Sequence, residues 1–369
     1  GVRVETNCQN CGFQQVRING LDGPYTQILI DSRPVFSALS GVYGLEQIPA
    51  SMIERVEVMR GGGSALFGSS AIAGTINIIT KEPLRNSGQL SHTITSLGGS
   101  SSFDNNTSLN ASLVTDDHRA GLYIFGQNRY RSGYDYDGDG RAELAVKTAP
   151  GTIDGAGNYV TQAGTTEAIK SADNSASYVN SSGFIIDGPE YLTIFNGQTG
   201  AAMQTVDYDP GRGDTTTWGK TSDKTNRVDR FLACTAYLDG VHPSLVTARG
   251  YYGKAIVVAY DWDGKNLNKR WRCDSTVSGY GSLAGQGNHN VSVADLDGDG
   301  CDEIVYGSAA IDNDGTVAHS TGWGHGDAIH VSDFNNDGKQ EIFGVLEEKP
   351  NWGTGFRDAA GKETWHFKA

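Results

Sequence analysis

The sequence predicts a mainly-β protein, and three observations support this fold class. The 369 residues include 50 glycines and nine prolines, and the apolar fraction is 37%, which suits a turn-rich chain. Short runs in which apolar and polar residues alternate recur along the chain, and a period of two is typical of β-strands. An acidic nine-residue motif occurs three times between strand-like runs. No run of roughly eighteen apolar residues is present, so a transmembrane helix is not expected.

Charge divides the chain into two parts. Residues 1–133 hold ten basic and ten acidic side chains, so all of the net charge of −14 lies in residues 134–369. An acidic surplus repels nucleic acid and favours divalent cations, so neither DNA nor RNA is expected as a partner. From this break and from the patterns below we predict three segments: residues 1–86, 87–133 and 134–369.

The first segment has the pattern of a small α+β domain. Strand-like runs cover residues 15–20 and 26–31, and residues 44–52 are compatible with a helix. Residues 53–61 follow with an apolar face interrupted by charge, and a glycine-rich stretch leads into a strand at residues 75–80.

Five cysteines are present, and two of them form a C-x-x-C motif at Cys8 and Cys11. Such a motif can be a redox pair, half of a metal site or a tight local disulfide. The structural interpretation is favoured because no second C-x-x-C and no nearby histidine completes a zinc site.

Two stretches of the first segment resemble a known domain: "RINGLDGPYTQILIDSRPVF" and "IERVEVMRGGGSALFGSSAIAGTINIITKEP". They are similar to the plug domain of TonB-dependent outer-membrane receptors, in the vitamin B12 receptor branch of Bacteroidetes. The resemblance implies a globular plug, truncated at its N-terminus, that fills a 22-stranded barrel and contacts a corrinoid or another scarce nutrient. It also implies a bacterial cell-envelope location, either in the outer membrane or as a secreted or periplasmic protein.

The second segment contains three strand-like runs, at residues 88–98, 107–115 and 120–131. Strands of about ten residues with one apolar and one polar face are what a membrane barrel needs, although a soluble hairpin has the same period. The position after a plug favours barrel-type antiparallel strands. Three strands cannot close a barrel, so we expect membrane insertion only if a complete barrel is present.

The third segment repeats the motif Asp-x-[Asp/Asn]-x-Asp-Gly-x-x-Glu. Carboxylates at positions 1, 3, 5 and 9 and the carbonyl of position 7 can converge on one Ca²⁺ ion, whereas the alternative is an acidic turn without metal. The predicted calcium ligands are Asp135, Asp137, Asp139, Arg141 and Glu143 in the first loop, Asp295, Asp297, Asp299, Cys301 and Glu303 in the second, and Asp333, Asn335, Asp337, Lys339 and Glu341 in the third.

The spacing of these loops suggests a β-propeller. The second and third loops begin 38 residues apart, at Asp295 and Asp333, which is close to the length of a propeller blade. Residues 191–203 and 255–271 have the pattern of strand–turn–strand hairpins. At this period the third segment supplies roughly four or five blades.

Several stretches of the third segment resemble a named enzyme family, among them "ARGYYGKAIVVAYDWDG", "AGQGNHNVSVADLDGDGCDEIVYG" and "GHGDAIHVSDFNNDG". They look like rhamnogalacturonan lyases of polysaccharide lyase family 11. The resemblance implies a calcium-bearing eight-bladed propeller, here incomplete, that cleaves the pectin backbone rhamnogalacturonan I by β-elimination at galacturonate.

The resemblance also implies candidate site residues. His289 and His325 match family histidines at the cleft, where a catalytic, substrate or calcium role competes with simple packing. Weaker candidates for sugar stacking or carboxylate pairing are Arg249, Asn288, Trp323 and Asp327. We assign no proton-abstracting base; Lys349 and Arg357 are merely basic residues nearby.

The whole chain therefore has the pattern of a chimera, because "YDYDGDG" suits both relatives and lies where the charge changes. Three function classes remain open. They are a calcium-dependent rhamnogalacturonan lyase, a fragment of an outer-membrane receptor for nutrient uptake, and a non-catalytic, calcium-bound carbohydrate-binding module.

Overall fold

The computed structural model describes residues 2–8, 13–18, 26–34, 48, 50–61, 71–96, 103–131, 133–173, 175–219 and 227–368. The chain forms two compact units. Unit 1 contains residues 1–97 and 103–131, and unit 2 contains residues 98–102 and 132–369. Strands dominate both units, which confirms the mainly-β class. Within the described ranges, no helix has the length and apolar character needed to cross a membrane.

Unit 1 contains nine strands within the described residues: β1 (Val2–Cys8), β2 (Phe13–Ile18), β3 (Thr26–Ile30), β4 (Arg33–Pro34), β5 (Ile53–Arg60), β6 (Gly74–Thr80), β7 (Ser87–Ser96), β8 (Phe103–Val114) and β9 (Gly121–Arg131). A four-stranded sheet has the order β4-β3-β6-β5, in which β3 and β6 are parallel and β5 and β6 antiparallel. Ile76 and Ile78 of β6 form a buried hydrophobic cluster with Ile18 of β2 and Ala73. The strands predicted at residues 53–61 and 75–80 are thus confirmed as β5 and β6.

Two predictions for the first segment have a different outcome. Of the helix-compatible stretch at residues 44–52, the structure describes residues 48 and 50–52, and Ala50–Met52 form a 3₁₀ helix. The apolar face of β5 is exposed at Val56 and Val58. Cys11, and with it the C-x-x-C prediction, lies outside the described residues.

The three strands predicted in the second segment are confirmed as the antiparallel sheet β7-β8-β9. Its two faces are inverted relative to a soluble hairpin. Apolar Leu90 and Leu109, which face each other across the strands, are 73% and 54% exposed, whereas polar Asp104 and Ser112 are buried. Asp104 accepts hydrogen bonds from Arg129 at 2.5 to 3.1 Å. An apolar outer face and a buried polar face are what the barrel-type interpretation requires, but the barrel itself stays a prediction.

Unit 2 contains fifteen strands within the described residues: β10 (Glu143–Thr148), β11 (Tyr191–Asn196), β12 (Ala202–Asp207), β13 (Phe231–Ala236), β14 (Ser244–Arg249), β15 (Ile256–Trp262), β16 (Leu267–Asp274), β17 (Ser292–Ala294), β18 (Glu303–Tyr306), β19 (Ala309–Ile311), β20 (Val317–Ser320), β21 (Gly326–Ser332), β22 (Glu341–Leu346), β23 (Gly353–Asp358) and β24 (Glu363–Lys368). They form four consecutive antiparallel sheets, β10–β12, β13–β16, β17–β20 and β21–β24. Short 3₁₀ helices occur at Thr215–Thr217 and Gly281–Leu283.

Consecutive sheets of unit 2 share hydrophobic clusters, because neighbouring residues of an inner strand point to opposite faces. In β14, Leu245 belongs to a cluster with β11, while the next residue, Val246, belongs to a cluster with β18 and β19. In β18, Ile304 lies in this second cluster, and Val305 packs with residues of β21 and β22. Strands buried on both faces explain why β14, β15 and β18 are rich in apolar residues.

The hairpins predicted at residues 191–203 and 255–271 are confirmed as β11–β12 and β15–β16. The spacing of the loops predicts roughly four or five repeats, and the described part of unit 2 contains four sheets. Each is a meander of three or four strands, the topology of a propeller blade, and their identity as blades stays a prediction.

Candidate functional site

The three acidic loops fold alike and lie at strand ends. In the second loop, the first aspartate, Asp295, accepts hydrogen bonds from the amides of Gly298 (2.7 Å) and Gly300 (3.1 Å). The last residue, Glu303, uses Oε2 to accept a bond from the amide of Leu296 (2.5 Å). The first loop repeats these contacts, and the third does so with one shift in the amide that bonds to its first aspartate. The glycine at position 6 has φ between +84° and +90° in all three loops, which favours glycine.

Acidic side chains converge inside each loop. Potential ligand atoms lie within 4.8 Å of one another for Asp135, Asp137, Asp139 and Glu143, for Asp295, Asp297 and Asp299, and for Asp333, Asp337 and Glu341. These groups contain ten predicted calcium ligands, and Glu303 is adjacent to the second group. Arg141, Cys301 and Lys339 occupy position 7, where the prediction concerns their backbone carbonyls.

The terminal glutamates of the first two loops are buried, and only one carboxylate oxygen of each accepts a hydrogen bond. Glu143 is 6% exposed and Glu303 is 2% exposed, and Oε1 of each has no hydrogen-bond partner. Burial, reinforced by the neighbouring aspartates, raises the pKa of each carboxyl to about 7. An unpartnered buried carboxylate oxygen is costly, so these loops are suited to a cation.

A second cluster joins His289, His325 and Glu347. His289 precedes β17 and His325 precedes β21, and a parallel bridge between Asn288 and Gly326 brings the two segments together. The imidazole centroids are 5.0 Å apart. Glu347 follows β22, the partner strand of β21, and its carboxylate lies within 4.8 Å of both histidines. The structure therefore unites the two histidines that are 36 positions apart in the sequence.

The protonation of His325 follows from its contacts. This side chain is 1% exposed, and Nδ1 lies 2.6 Å from the carbonyl oxygen of Gly287, so Nδ1 is the protonated nitrogen. Burial lowers the pKa of His325 and favours the neutral ring. Nε2 then presents a lone pair 3.2 Å from Oε2 of Glu347, with ion-pair spacing but without hydrogen-bond geometry. Two acceptors facing each other are favourable only with a proton or a cation between them.

Tyr251, Tyr252 and Glu347 belong to this cluster and were not predicted from the sequence. The ring of Tyr251 stacks on His325 at 5.3 Å with an interplanar angle of 7°. The hydroxyl of Tyr252 lies 3.0 Å from Nε2 of His289, and Arg227 lies 3.9 Å above the Tyr252 ring. The adjacent tyrosines in "RGYYG" were a usable signal, but only the fold shows that they meet the histidines.

The four weaker candidates have different environments. Asp327 lies 3.8 Å from Nδ1 of His289 and therefore belongs to the histidine cluster. Asn288 is fully buried beside it, and neither amide atom has a hydrogen-bond partner. Trp323 is also buried, with its ring 4.9 Å from that of His366.

Arg249 is fully buried in a separate ionic group. It donates to both carboxylate oxygens of Glu190 at 2.7 Å, and Lys147 and Arg212 also contact this carboxylate. Burial would raise the pKa of Glu190, but the hydrogen bonds and charges of Arg249 and Lys147 hold it below its usual value. This geometry favours a structural role for Arg249 over contact with a sugar.

Comparison with known proteins decides the family. Residues 119–369 match the sequence profile described as "Rhamnogalacturonan lyase family 11, C-terminal domain". The chain belongs to rhamnogalacturonan lyase family 11. The match includes β9, which pairs with β8 in unit 1, so the boundaries predicted at residues 86 and 133 stay predictions.

Relatives within this family come from Bacillus subtilis (strain 168). The chain is 52% identical over 240 residues to the rhamnogalacturonan exolyase YesX and 50% identical over 236 residues to the rhamnogalacturonan endolyase YesW. These alignments cover 64% and 63% of this chain but 37% and 36% of the relatives, so the chain spans about a third of their length. A crystal structure of YesW superposes with a TM-score of 0.57 and 37% identity, covering 80% of this chain and 57% of that one.

The N-terminal segment matches a different family. Residues 1–75 match the profile of the TonB-dependent receptor plug domain. A vitamin B12 transporter, BtuB of Vibrio vulnificus (strain CMCP6), is 40% identical over 80 residues, which cover 22% of this chain and 13% of that protein. Two families therefore match different parts of one chain, as expected for a chimera.

Proposed function

We propose that residues 134–369 form a calcium-dependent, lyase-type β-propeller unit that binds the rhamnogalacturonan I backbone at galacturonate, the site of β-elimination. Membership of the lyase family and the rhamnogalacturonan lyase names of the two Bacillus relatives support the substrate class. The observation that carries the proposal is the cluster of His289, His325 and Glu347, in which an unprotonated ring nitrogen faces a carboxylate. The four sheets are proposed as blades of the propeller.

The histidine cluster suits a divalent cation and an anionic sugar. His289, His325 and Glu347 offer two nitrogen ligands and one oxygen ligand around a common point. A cation held there would neutralise the C6 carboxylate of galacturonate and acidify the C5 proton. Departure of the glycosidic oxygen at C4 then completes the elimination once a base has taken that proton.

The chain's own residues divide the work within this cluster. His289 is the accessible histidine, with 44% of its side chain exposed, so it is the one that a polysaccharide can contact. Tyr252 holds its Nε2 side, and Asp327 approaches its Nδ1 side. His325, buried against Tyr251 and fixed by Gly287, is a rigid ligand.

The acidic loops are proposed as structural calcium sites. The unpartnered Oε1 atoms of Glu143 and Glu303 support this assignment, and hard oxygen donors suit Ca²⁺. The ligands would be the carboxylates of the three motifs, the Asn335 side chain and the carbonyls of Arg141, Cys301 and Lys339.

We assign none of the described residues as the base that removes the C5 proton. Because general-base catalysis contributes about 10²–10⁴-fold, we expect weak, calcium-dependent binding of rhamnogalacturonan I with little elimination. Ultraviolet absorbance of the unsaturated uronate end measures elimination, and calorimetry measures binding, each with calcium and with chelator. His289→Ala should abolish binding, whereas His242→Ala, an exposed histidine elsewhere in unit 2, should not.

The controls separate the remaining function classes. Homogalacturonan, which lacks rhamnose, should bind more weakly than rhamnogalacturonan I. Binding that survives His289→Ala would favour a non-catalytic carbohydrate-binding module that uses another surface. Turnover close to that of a complete family member would contradict the expected lack of a base.

A second function is proposed for the N-terminal segment on the basis of its plug profile. There we propose a nutrient-binding role like that of an outer-membrane receptor, with a corrinoid as the candidate ligand. Equilibrium dialysis of cyanocobalamin against the full chain tests it. No retention at millimolar ligand would remove the corrinoid from consideration.

A further inference from the structure

The three acidic loops differ at one ligand position. Position 3 is Asp137 in the first loop and Asp297 in the second, but Asn335 in the third. In each loop the terminal glutamate accepts a bond from the position-2 amide. The position-5 amide bonds to the position-3 aspartate in the first two loops and to the first aspartate, Asp333, in the third. The loops therefore form an internal comparison in which only one of the predicted side-chain ligands changes type.

Asn335 turns its amide nitrogen towards the cluster of acids. Its Nδ2 donates to Oε1 of Glu341 at 2.9 Å and to Oδ2 of Asp337 at 3.1 Å. The equivalent glutamate oxygen, Oε1 of Glu143 or Glu303, has no partner in the first two loops. In the third loop, two N–H groups thus satisfy the oxygens that the other loops leave available for a ligand.

We propose that the loops form two classes of calcium site, with loops one and two binding tightly and loop three binding about tenfold to a hundredfold more weakly. This inference rests on the proposed calcium binding. Loop three offers three carboxylates instead of four, and calcium affinity follows the charge of the ligands. Before Asn335 can offer an oxygen, it must also give up two hydrogen bonds to carboxylates, and bonds of this kind are worth roughly ten- to hundredfold in affinity.

The position of the weak loop has a structural consequence. Loop three joins β21 to β22, and the opposite end of the same hairpin carries His325 and Glu347. The loop whose occupancy changes last as calcium rises is therefore connected directly to the histidine cluster.

Isothermal titration calorimetry of the full chain, starting from chelator-treated protein, tests the inference. The natural chain should show at least two classes of site. Asn335→Asp should move one site from the weak to the tight class, with affinity higher by about tenfold or more. The reciprocal changes Asp137→Asn and Asp297→Asn should each move one tight site into the weak class.

These variants leave the histidine cluster unchanged. Calcium bound at that cluster therefore contributes equally to every titration and does not affect the comparison. Asn335 is exposed, so Asn335→Asp should fold, and far-ultraviolet circular dichroism checks this. Calcium binding that Asn335→Asp leaves unaltered would overturn the inference while preserving the proposed function. Absence of calcium binding in every variant would instead contradict the proposed function.

Discussion

At the scale of single residues, burial separates side chains that the sequence makes look alike. His289 and His325 both lie in glycine-framed polar stretches, yet one is exposed and the other is enclosed by Tyr251, Tyr252 and the carbonyl of Gly287. Only the buried histidine has its tautomer fixed by a backbone contact. The two residues therefore have different environments in one cluster.

His319 provides a test at this scale. This histidine of β20 is largely buried with Nε2 unpartnered, and its burial, together with the charge of Arg357, lowers its pKa to about 4. His319 binds a proton at about pH 6.5 in the unfolded chain but only near pH 4 in the folded chain. Its contribution to the free energy of unfolding is therefore complete above pH 6.5 and is lost as pH falls towards 4.

We expect the natural chain to lose about 2 kcal/mol more than His319→Gln between pH 7 and pH 4, after allowance for partial exposure. Urea unfolding followed by tryptophan fluorescence measures this difference, which cancels the titration of the carboxylates common to both proteins. Parallel pH profiles for the two chains would show that folding does not lower the pKa of His319.

At the scale of elements, the second and third acidic loops each connect the paired strands of a hairpin. Glu303 pairs with Ala294 in the β17–β18 ladder, and Glu341 pairs with Ser332 in the β21–β22 ladder. The last predicted ligand of a loop is thus also the first residue of a strand. Charge that accumulates in the loop without a cation should weaken the hairpin to which it belongs.

We therefore expect calcium to stabilise unit 2. A ligand that binds only the folded form adds about 2.7 kcal/mol for each site at a hundredfold excess over its Kd. Thermal unfolding with calcium and with chelator measures the effect. Asp297→Asn should lose part of the stabilisation because the other loops remain, and Asp187→Asn, an exposed aspartate outside the loops, should lose none. Equal melting temperatures with and without calcium would rule out calcium binding to the loops.

At the scale of the whole molecule, the two units have separate hydrophobic clusters. Among the described residues, Ile18, Ala73, Ile76 and Ile78 form a cluster in unit 1, and three clusters of unit 2 lie between its consecutive sheets. The division between units falls at residues 131 and 132, close to the change in charge at residue 134.

Separate clusters should give separate unfolding. We expect limited proteolysis to cut first between residues 126 and 140, and calorimetry to show two transitions, of which calcium shifts only one. Mass spectrometry of the early fragments locates the cut. A single cooperative transition, with this stretch as protected as the interior, would show that the units fold together.

Patterns of a few residues were sufficient to predict the strands, the hairpins of unit 2 and the geometry of the acidic loops. The hydrogen bonds within each acidic loop span fewer than ten positions. Nearby residues such as Asp295, Gly300 and Glu303 therefore determine the loop conformation. The chimeric composition was likewise visible, because charge and motifs change at the same place in the chain.

Other features depend on contacts between residues that are distant in sequence. Glu347, Tyr252 and His289 meet only because the end of β22, the loop after β14 and the segment before β17 converge. Arg249 has the charge of a substrate ligand, but the partner that withdraws it from solvent, Glu190, lies 59 positions away. The inverted faces of β7–β9 follow the same logic, since alternation predicts two faces and tertiary packing alone decides which one is buried.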